Sequence, residues 1–374
     1  MRTTRIATRA SGAVLLLASL ALLEVLSAIL FANLPSRFNN GKRVVAGYIG
    51  SEPDTSGTIE PHPYLLYQNT KDAQVSGFRQ HNSRRYRGKD FASDKSPETT
   101  RFLALGGSTT YMFPFVPDPD DTWVARLEAM LRRDYGETVE VINAGKNYAT
   151  SAEMLAAYVF RHQYLEPDVL IIHTGGNDIF PLLFEDYDPE YTHFRGHGTG
   201  LIPRDFEASL LSWSRVFRLF YAMWLNSDQT VYSQQPHSLA LLDRAEALER
   251  VKSNESPGFR RNLDTLIRMA TSDGVAVILF GHLQAREEIL SRNRRDLEGL
   301  EQALIVGLEK HYRIMGELSV KYDIPLIVPD QQLFDDSWFL DFCHLNEQGE
   351  AVKAGILFEH FATRAAQYFG PASR

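Results

Sequence analysis

Five short apolar runs punctuate the chain: Phe102–Leu105, Val139–Ile142, Val169–Ile172, Val275–Phe280 and Ile324–Val328. Each is rich in branched side chains and too short for a buried helix, so each predicts a strand covered on both faces. Between them the apolar positions change to helical spacing, as at Trp123, Leu127, Met130 and Leu131. Strands that alternate with helices predict a parallel sheet with helices on both sides, because parallel neighbours need a crossover that packs back on the sheet. The chain contains no internal repeat and no low-complexity tract.

Two intervals depart from this alternation. At the N-terminus, Ala13 to Leu34 is apolar except for Ser19, Glu24, Ser27 and Asn33. As a helix it is long enough to cross about 30 Å of hydrocarbon. A transmembrane anchor over 13–34 is therefore expected. The competing reading is a cleaved signal peptide, whose best cleavage site, Val25-Leu26-Ser27, is a poor one. Arg2, Arg5 and Arg9, with no acidic neighbour, favour a cytoplasmic 1–12 and an extracytoplasmic remainder, periplasmic in a Gram-negative cell and secreted if the segment is cleaved. Residues 35–80 read as a stalk that becomes an extended arm, with Tyr64-Leu65-Leu66-Tyr67 as its docking point on a domain spanning 81–374. The second departure, about 180–256, reads as a cap insertion beside the site. Trp213, Val216, Phe217, Phe220, Tyr221 and Trp224 lie there at helical spacing. They suit a packed cap helix, an acyl-chain groove or contact with a bilayer surface, where Arg215 and Arg218 would meet lipid phosphates. His193 and His197 share a helical spacing, but Gly196 and Gly198 argue for a loop, and no metal is expected.

Composition narrows the function. The 374 residues are 44% hydrophobic, enough for a substantial core. A formal charge of −8 without a basic stripe argues against nucleic acid. The single cysteine, Cys343, excludes an intrachain disulfide, and its place near the far end excludes an N-terminal lipoprotein. It reads as a small buried filler.

Three short words carry the chemistry. Gly106-Gly107-Ser108 follows the first strand, Gly175-Gly176-Asn177-Asp178 the third, and Asp341-Phe342-Cys343-His344 precedes a late helix. Each alone is an ordinary turn or helix-start signal. Together they place a nucleophile, oxyanion donors and a base with its orienting acid at the carboxyl edge of an open sheet, where such folds bind ligands. A serine hydroxyl needs a base to accept its proton, a role for His344, and that base needs a carboxylate to fix its tautomer, a role for Asp341. The developing oxyanion needs preorganised donors, for which the Ser108 N–H, the Gly145 N–H and the Asn177 amide are candidates. Asp178 is expected to hold the Asn177 loop.

The chain resembles the SGNH (GDSL-type) serine hydrolase superfamily, over about residues 84–370. Ser108 matches the block I nucleophile, Gly145 of Asn143-Ala144-Gly145 the block II glycine, Asn177 the block III asparagine, and Asp341-x-x-His344 the block V pair. The usual Gly-Asp-Ser is here Gly-Gly-Ser, followed by Thr109-Thr110, a variant similar to a membrane-linked bacterial branch that also carries a segment like Asn82-Ser83-Arg84-Arg85-Tyr86-Arg87-Gly88. The resemblance implies a flavodoxin-like three-layer α/β/α sandwich with a five-stranded parallel sheet, no cofactor and no metal. Arg87 is a candidate for an anionic substrate group or for pairing with a carboxylate; His173 and His282, at strand ends, are candidates to line the pocket. The expected activity is hydrolysis of a carboxylic ester, with O-acyl groups on an envelope carbohydrate or a related extracytoplasmic ester as the leading substrate and a lipid ester as a further candidate partner. An O-acyltransferase using the same serine and a non-catalytic envelope scaffold are the alternatives.

Overall fold

The computed structural model describes residues 2–35, 38, 45, 58–198, 210–211, 213–224, 231–236, 239 and 242–369. They form two compact units, Met1–Thr55 with Arg195–Pro236, and Ser56–Phe194 with His237–Arg374.

The larger unit is built on five parallel strands: β1 (Thr100–Gly106), β2 (Val139–Gly145), β3 (Val169–Thr174), β4 (Ala276–Gly281) and β5 (Leu326–Ile327). Their order across the sheet is β5-β4-β3-β1-β2. The chain thus leaves β1 toward β2 on one side and returns to β3 on the other. This reversal falls at the carboxyl ends of β1 and β3, the place where open α/β sheets bind ligands, and Ser108 and Asn177 follow those two ends.

Side chains alternate along each strand, so the sheet has two buried faces. Leu103, Leu105, Leu170, Ile172, Val277 and Leu279 face α3 (Ser151–Phe160), α6 (Pro257–Ser272) and α7 (Glu301–Tyr322). Phe102, Ala104, Val169, Ile171, Ile278 and Phe280 face α2 (Trp123–Tyr135) and α8 (Glu347–Ala362). Trp123, Leu127 and Leu131 supply the buried stripe of α2, as their spacing predicts. The result is the expected three-layer α/β/α sandwich. Each strand-face leucine or isoleucine removed from water contributes about 1.5–3 kcal/mol, which makes these two layers the rigid platform for the loops above them.

The arm enters this unit as an antiparallel hairpin, Ile59–His62 with Leu66–Asn69. Tyr67 is buried, and its hydroxyl donates to the Asn147 carbonyl while Lys146 Nζ lies 4.1 Å from its ring centre. Tyr64 stays exposed and stacks on Phe160. Most of the stalk interval, 36–37, 39–44 and 46–57, lies outside the described residues.

The interval read as one cap is divided. Residues 180–194 and 237–256 belong to the sheet unit, where α5 (Arg244–Ser253) buries Ala247 and Val251 in a cluster with Ala303, Leu304 and Leu308 of α7. Residues 195–236 belong to the other unit, with α1 (Arg2–Ala32) and α4 (Arg215–Trp224). Within α1, Val14–Ala32 has a mean hydropathy of 2.6 and is almost wholly exposed. His193 bonds the Pro181 carbonyl and the Asp188 N–H, and the side chain of His197 lies outside the described residues.

Candidate active site

Strand β1 ends at Gly106, and one turn of helix, Ser108–Tyr111, begins at once. A Cβ on Gly106 would stand 2.0 Å from Thr110 Oγ1, and one on Gly107 would stand 2.4 Å from Asn177 Nδ2. Two glycines are therefore required, the first to close the turn and the second to let the Asn177 amide lie against the nucleophile loop. Behind this turn, Lys353 Nζ donates to the Thr109 carbonyl at 2.9 Å and pairs with Glu350 at the same distance. The other Glu350 oxygen accepts the Trp123 N–H, so α2, α8 and the nucleophile turn share one buried polar cluster. Burial pushes the Lys353 ammonium down from its usual range, with Glu350 opposing.

Asn177 follows β3 through Gly175, whose φ of +117° favours glycine. Its Nδ2 donates to the Ala149 carbonyl at 2.8 Å. One of its two amide hydrogens is thus fixed, which sets the orientation of the second. The loop is pinned from below by His311 Nδ1, 2.7 Å from the Gly175 carbonyl, and from the side by Asp178. Asp178 is buried and accepts from the Ser151 N–H at the start of α3, from the Ser151 hydroxyl and from the Tyr191 hydroxyl. Burial raises its pKa to about 6 against those bonds.

The third word forms a tight turn before α8. The Asp341 carboxylate accepts the backbone N–H groups of Cys343 and His344 at 2.9 and 2.8 Å and lies 2.8 Å from His344 Nδ1. Burial alone would raise the Asp341 carboxyl, but the His344 contact and these N–H donors outweigh it and hold it below the ordinary carboxylate range. An ionised Asp341 fixes the proton on Nδ1, and the buried Nε2 of His344 makes no hydrogen bond among the described residues. Phe115 stacks on the imidazole with ring centres 3.8 Å apart. Cys343 is buried and its thiol is pushed well above its usual range by that burial, which removes it as a nucleophile. Asp341, Cys343 and His344 bring ligand atoms within 4.8 Å of one another, but the carboxylate and Nδ1 are already committed to each other.

Four expectations are corrected by this geometry. The Gly145 N–H donates to Asn143 Oδ1 at 3.0 Å, so it is not presented to an oxyanion. Gly145 is required for another reason: a Cβ there would stand 2.4 Å from the Tyr111 nitrogen, so only glycine lets β2 pass behind the nucleophile turn. Arg87 pairs with no carboxylate among the described residues. It is buried, its Nη2 donates to the Val116 carbonyl at 2.6 Å, and its guanidinium lies over the rings of Tyr111 and Phe113. Burial lowers its pKa to about 10. His173 and His282 do not line an open pocket: both are buried and kept neutral by burial, His282 with a pKa of about 3. His173 Nδ1 bonds Thr110 Oγ1 at 2.8 Å, and the His282 ring fills the space where Gly176 lacks a Cβ. Both support the loops that carry Ser108 and Asn177.

Sequence reading missed Phe115, His311, Lys353 and Tyr148. Tyr148 sits at φ +59°, half exposed, in the loop that carries the Ala149 carbonyl to Asn177. A left-handed tyrosine leaves no mark in sequence, since glycine or asparagine is the usual occupant.

A parallel sheet with a glycine-bounded serine turn after one strand and an Asp-paired histidine before the last long helix has the parts of a serine hydrolase of α/β architecture. The profile of the GDSL-like Lipase/Acylhydrolase family matches residues 104–352, and the chain belongs to that family. Solved structures with a similar fold include the lipase/acylhydrolase from Enterococcus faecalis, at 17% identity and TM-score 0.40, covering 71% of this chain and 96% of that one. TesA matches at 15% identity and TM-score 0.39, covering 70% and 98%. A two-domain esterase active on acetylated mannans matches at 14% identity and TM-score 0.40, covering 72% of this chain and 51% of that one. A search of curated proteins finds no match.

Proposed function

We propose that this chain is a membrane-anchored serine esterase that removes O-acyl groups from an envelope carbohydrate or related ester outside the cytoplasm. Ser108 attacks the acyl carbon while His344 Nε2 takes its proton; Asp341 holds the opposite nitrogen protonated and stabilises the imidazolium. The Ser108 N–H and the uncommitted amide hydrogen of Asn177 receive the oxyanion. His344 then returns the proton to the departing alcohol, and a water activated by the same nitrogen releases the acid. The observation that carries this reading is the Asp341–His344 pair, at 2.8 Å, with the far nitrogen of the imidazole unpartnered among the described residues.

The extracytoplasmic location rests on the apolar length of Val14–Ala32 and on the arginines before it. A catalytic unit tethered on that side meets acylated envelope polymers and lipids at close range. The deciding experiment is an activity profile on aryl esters of increasing acyl length, with and without a sugar acceptor. Preference for acetyl esters with water as acceptor supports the carbohydrate-ester reading. Preference for long chains redirects it to lipid esters, and acyl transfer to the sugar in place of hydrolysis overturns the esterase assignment.

A further inference from the structure

The smaller unit holds a feature that ester hydrolysis does not use. Glu24 lies inside the most apolar stretch of α1, about 12 Å along the helix from its Ala32 end, within the half-thickness of a bilayer's hydrocarbon core. A carboxylate at that depth needs a partner that enters the bilayer with it. The partner is present: Glu24 Oε1 accepts the Ser214 hydroxyl at 2.7 Å, and Oε2 accepts the Arg215 N–H at 2.5 Å, at the start of α4. Phe31 and Leu34 continue this contact in an apolar cluster with Leu211, Phe217, Tyr221 and Ala222. Glu24, Phe31 and Leu34 thus meet this segment in the half of the span nearer the rest of the chain.

With one face of α4 taken by α1, the opposite side remains apolar and open. Trp213 is 88% exposed, Phe220 64% and Trp224 66%, with Met223 beside them. Phe220, Met223 and Trp224 recur at helical spacing on α4, with Trp213 just before it, and the part of α1 that packs here exposes Val25, Leu26, Ile29 and Leu30 as well. Trp224, at the end of α4 away from the Glu24 contact, suits the outer boundary of a bilayer, where indole sits between acyl chains and headgroups, while Trp213, next to Ser214, falls at the depth of Glu24 among the acyl chains.

We propose that α4 is a second membrane element: it inserts beside the anchor in the outer leaflet, places Trp213, Phe220, Met223 and Trp224 against acyl chains, and satisfies Glu24 inside the bilayer. This rests on α1 being a retained anchor. The occupant of the open side of α4 is lipid, because the helix α4 packs on is itself apolar, exposed and long enough to cross a bilayer.

The test uses the full chain reconstituted in phosphatidylcholine vesicles whose acyl chains carry bromine, a contact quencher of indole fluorescence. The chain has four tryptophans, of which Trp123 is buried against the sheet, so the lipid-contacting signal comes from Trp213 and Trp224 if α4 inserts. Wild type should float with the vesicles and be strongly quenched. The double variant Trp213→Phe with Trp224→Phe should still float and lose most of that quenching, and its unchanged esterase rate will show that the sheet unit is intact. Flotation with quenching equal in both proteins overturns the insertion of α4 and leaves the anchor standing. Failure to float, or recovery of a chain lacking residues before Ala28, overturns the anchor and this inference together.

Discussion

Replacing Asp178 with asparagine separates the support of the oxyanion loop from its chemistry. The native carboxyl is buried and accepts from the Ser151 N–H, the Ser151 hydroxyl and the Tyr191 hydroxyl, yet burial lifts its pKa from 3.8 to about 6. Folded-state affinity for the proton thus exceeds that of the unfolded chain. Between these two values the native protein holds a proton that the unfolded chain has released, so this group's contribution to stability is complete below about pH 4, falls as pH rises, and is gone above about pH 6. A gap of about two units corresponds to a contribution on the order of 3 kcal/mol. Asparagine cannot titrate. Urea denaturation of both proteins at matched pH values should therefore show wild type gaining on Asp178→Asn as pH falls from about 7 to about 4, by an amount of that order. Subtracting the two curves cancels the buried histidines, which titrate in both. Esterase kcat at neutral pH should change by less than about tenfold, since Asp178 touches the loop and not the reacting atoms. If wild type instead gains on the variant as pH rises, the donors and the start of α3 outweigh burial, and the carboxyl is held ionised.

Three further outcomes test the site and the location. Ser108→Ala should abolish hydrolysis and labelling by a fluorophosphonate probe with little change in Tm, and adding His344→Ala should cost nothing more because the two act as one unit; labelling that persists in Ser108→Ala removes the nucleophile assignment. Asn177→Ala should lower kcat by about 10²–10³ at nearly constant KM, and a raised KM at unchanged kcat would make the amide a ground-state binding group. The full chain should stay with membranes through carbonate washing, whereas a chain lacking residues 1–35 should be soluble; a mature protein beginning near Ala28 would identify a cleaved signal instead.

The strands of the sheet were plain in the sequence because parallel strands buried on both faces are written as uninterrupted apolar runs, and no other element of that length is. The glycine-bounded turns were equally plain. What the glycines are for was not. Gly145 reads the same whether its N–H faces an oxyanion or its bare Cα lets Tyr111 pass, and only the position of the nucleophile turn decides for clearance. Strand-end histidines carry a similar ambiguity, since an imidazole that lines a pocket and one that bonds Thr110 from behind occupy the same place in the alternation. Arg87 was misjudged because its burial depends on the rings of Tyr111 and Phe113, brought to it by the fold. The division of 180–256 between two units was illegible for the same reason: what α4 packs on is a helix nearly two hundred residues earlier.

Lys353 reaches across 244 positions of chain to hold the Thr109 carbonyl, from the same helix whose approach carries Asp341 and His344. The serine turn and the Asp341–His344 turn are therefore both tied to one helix. During synthesis the serine turn emerges long before the helix that braces it, so a nascent chain carries the hydroxyl without its base or its clamp. The geometry that brings Ser108, Asp341 and His344 into one unit is therefore complete only once the closing helix has packed against the sheet.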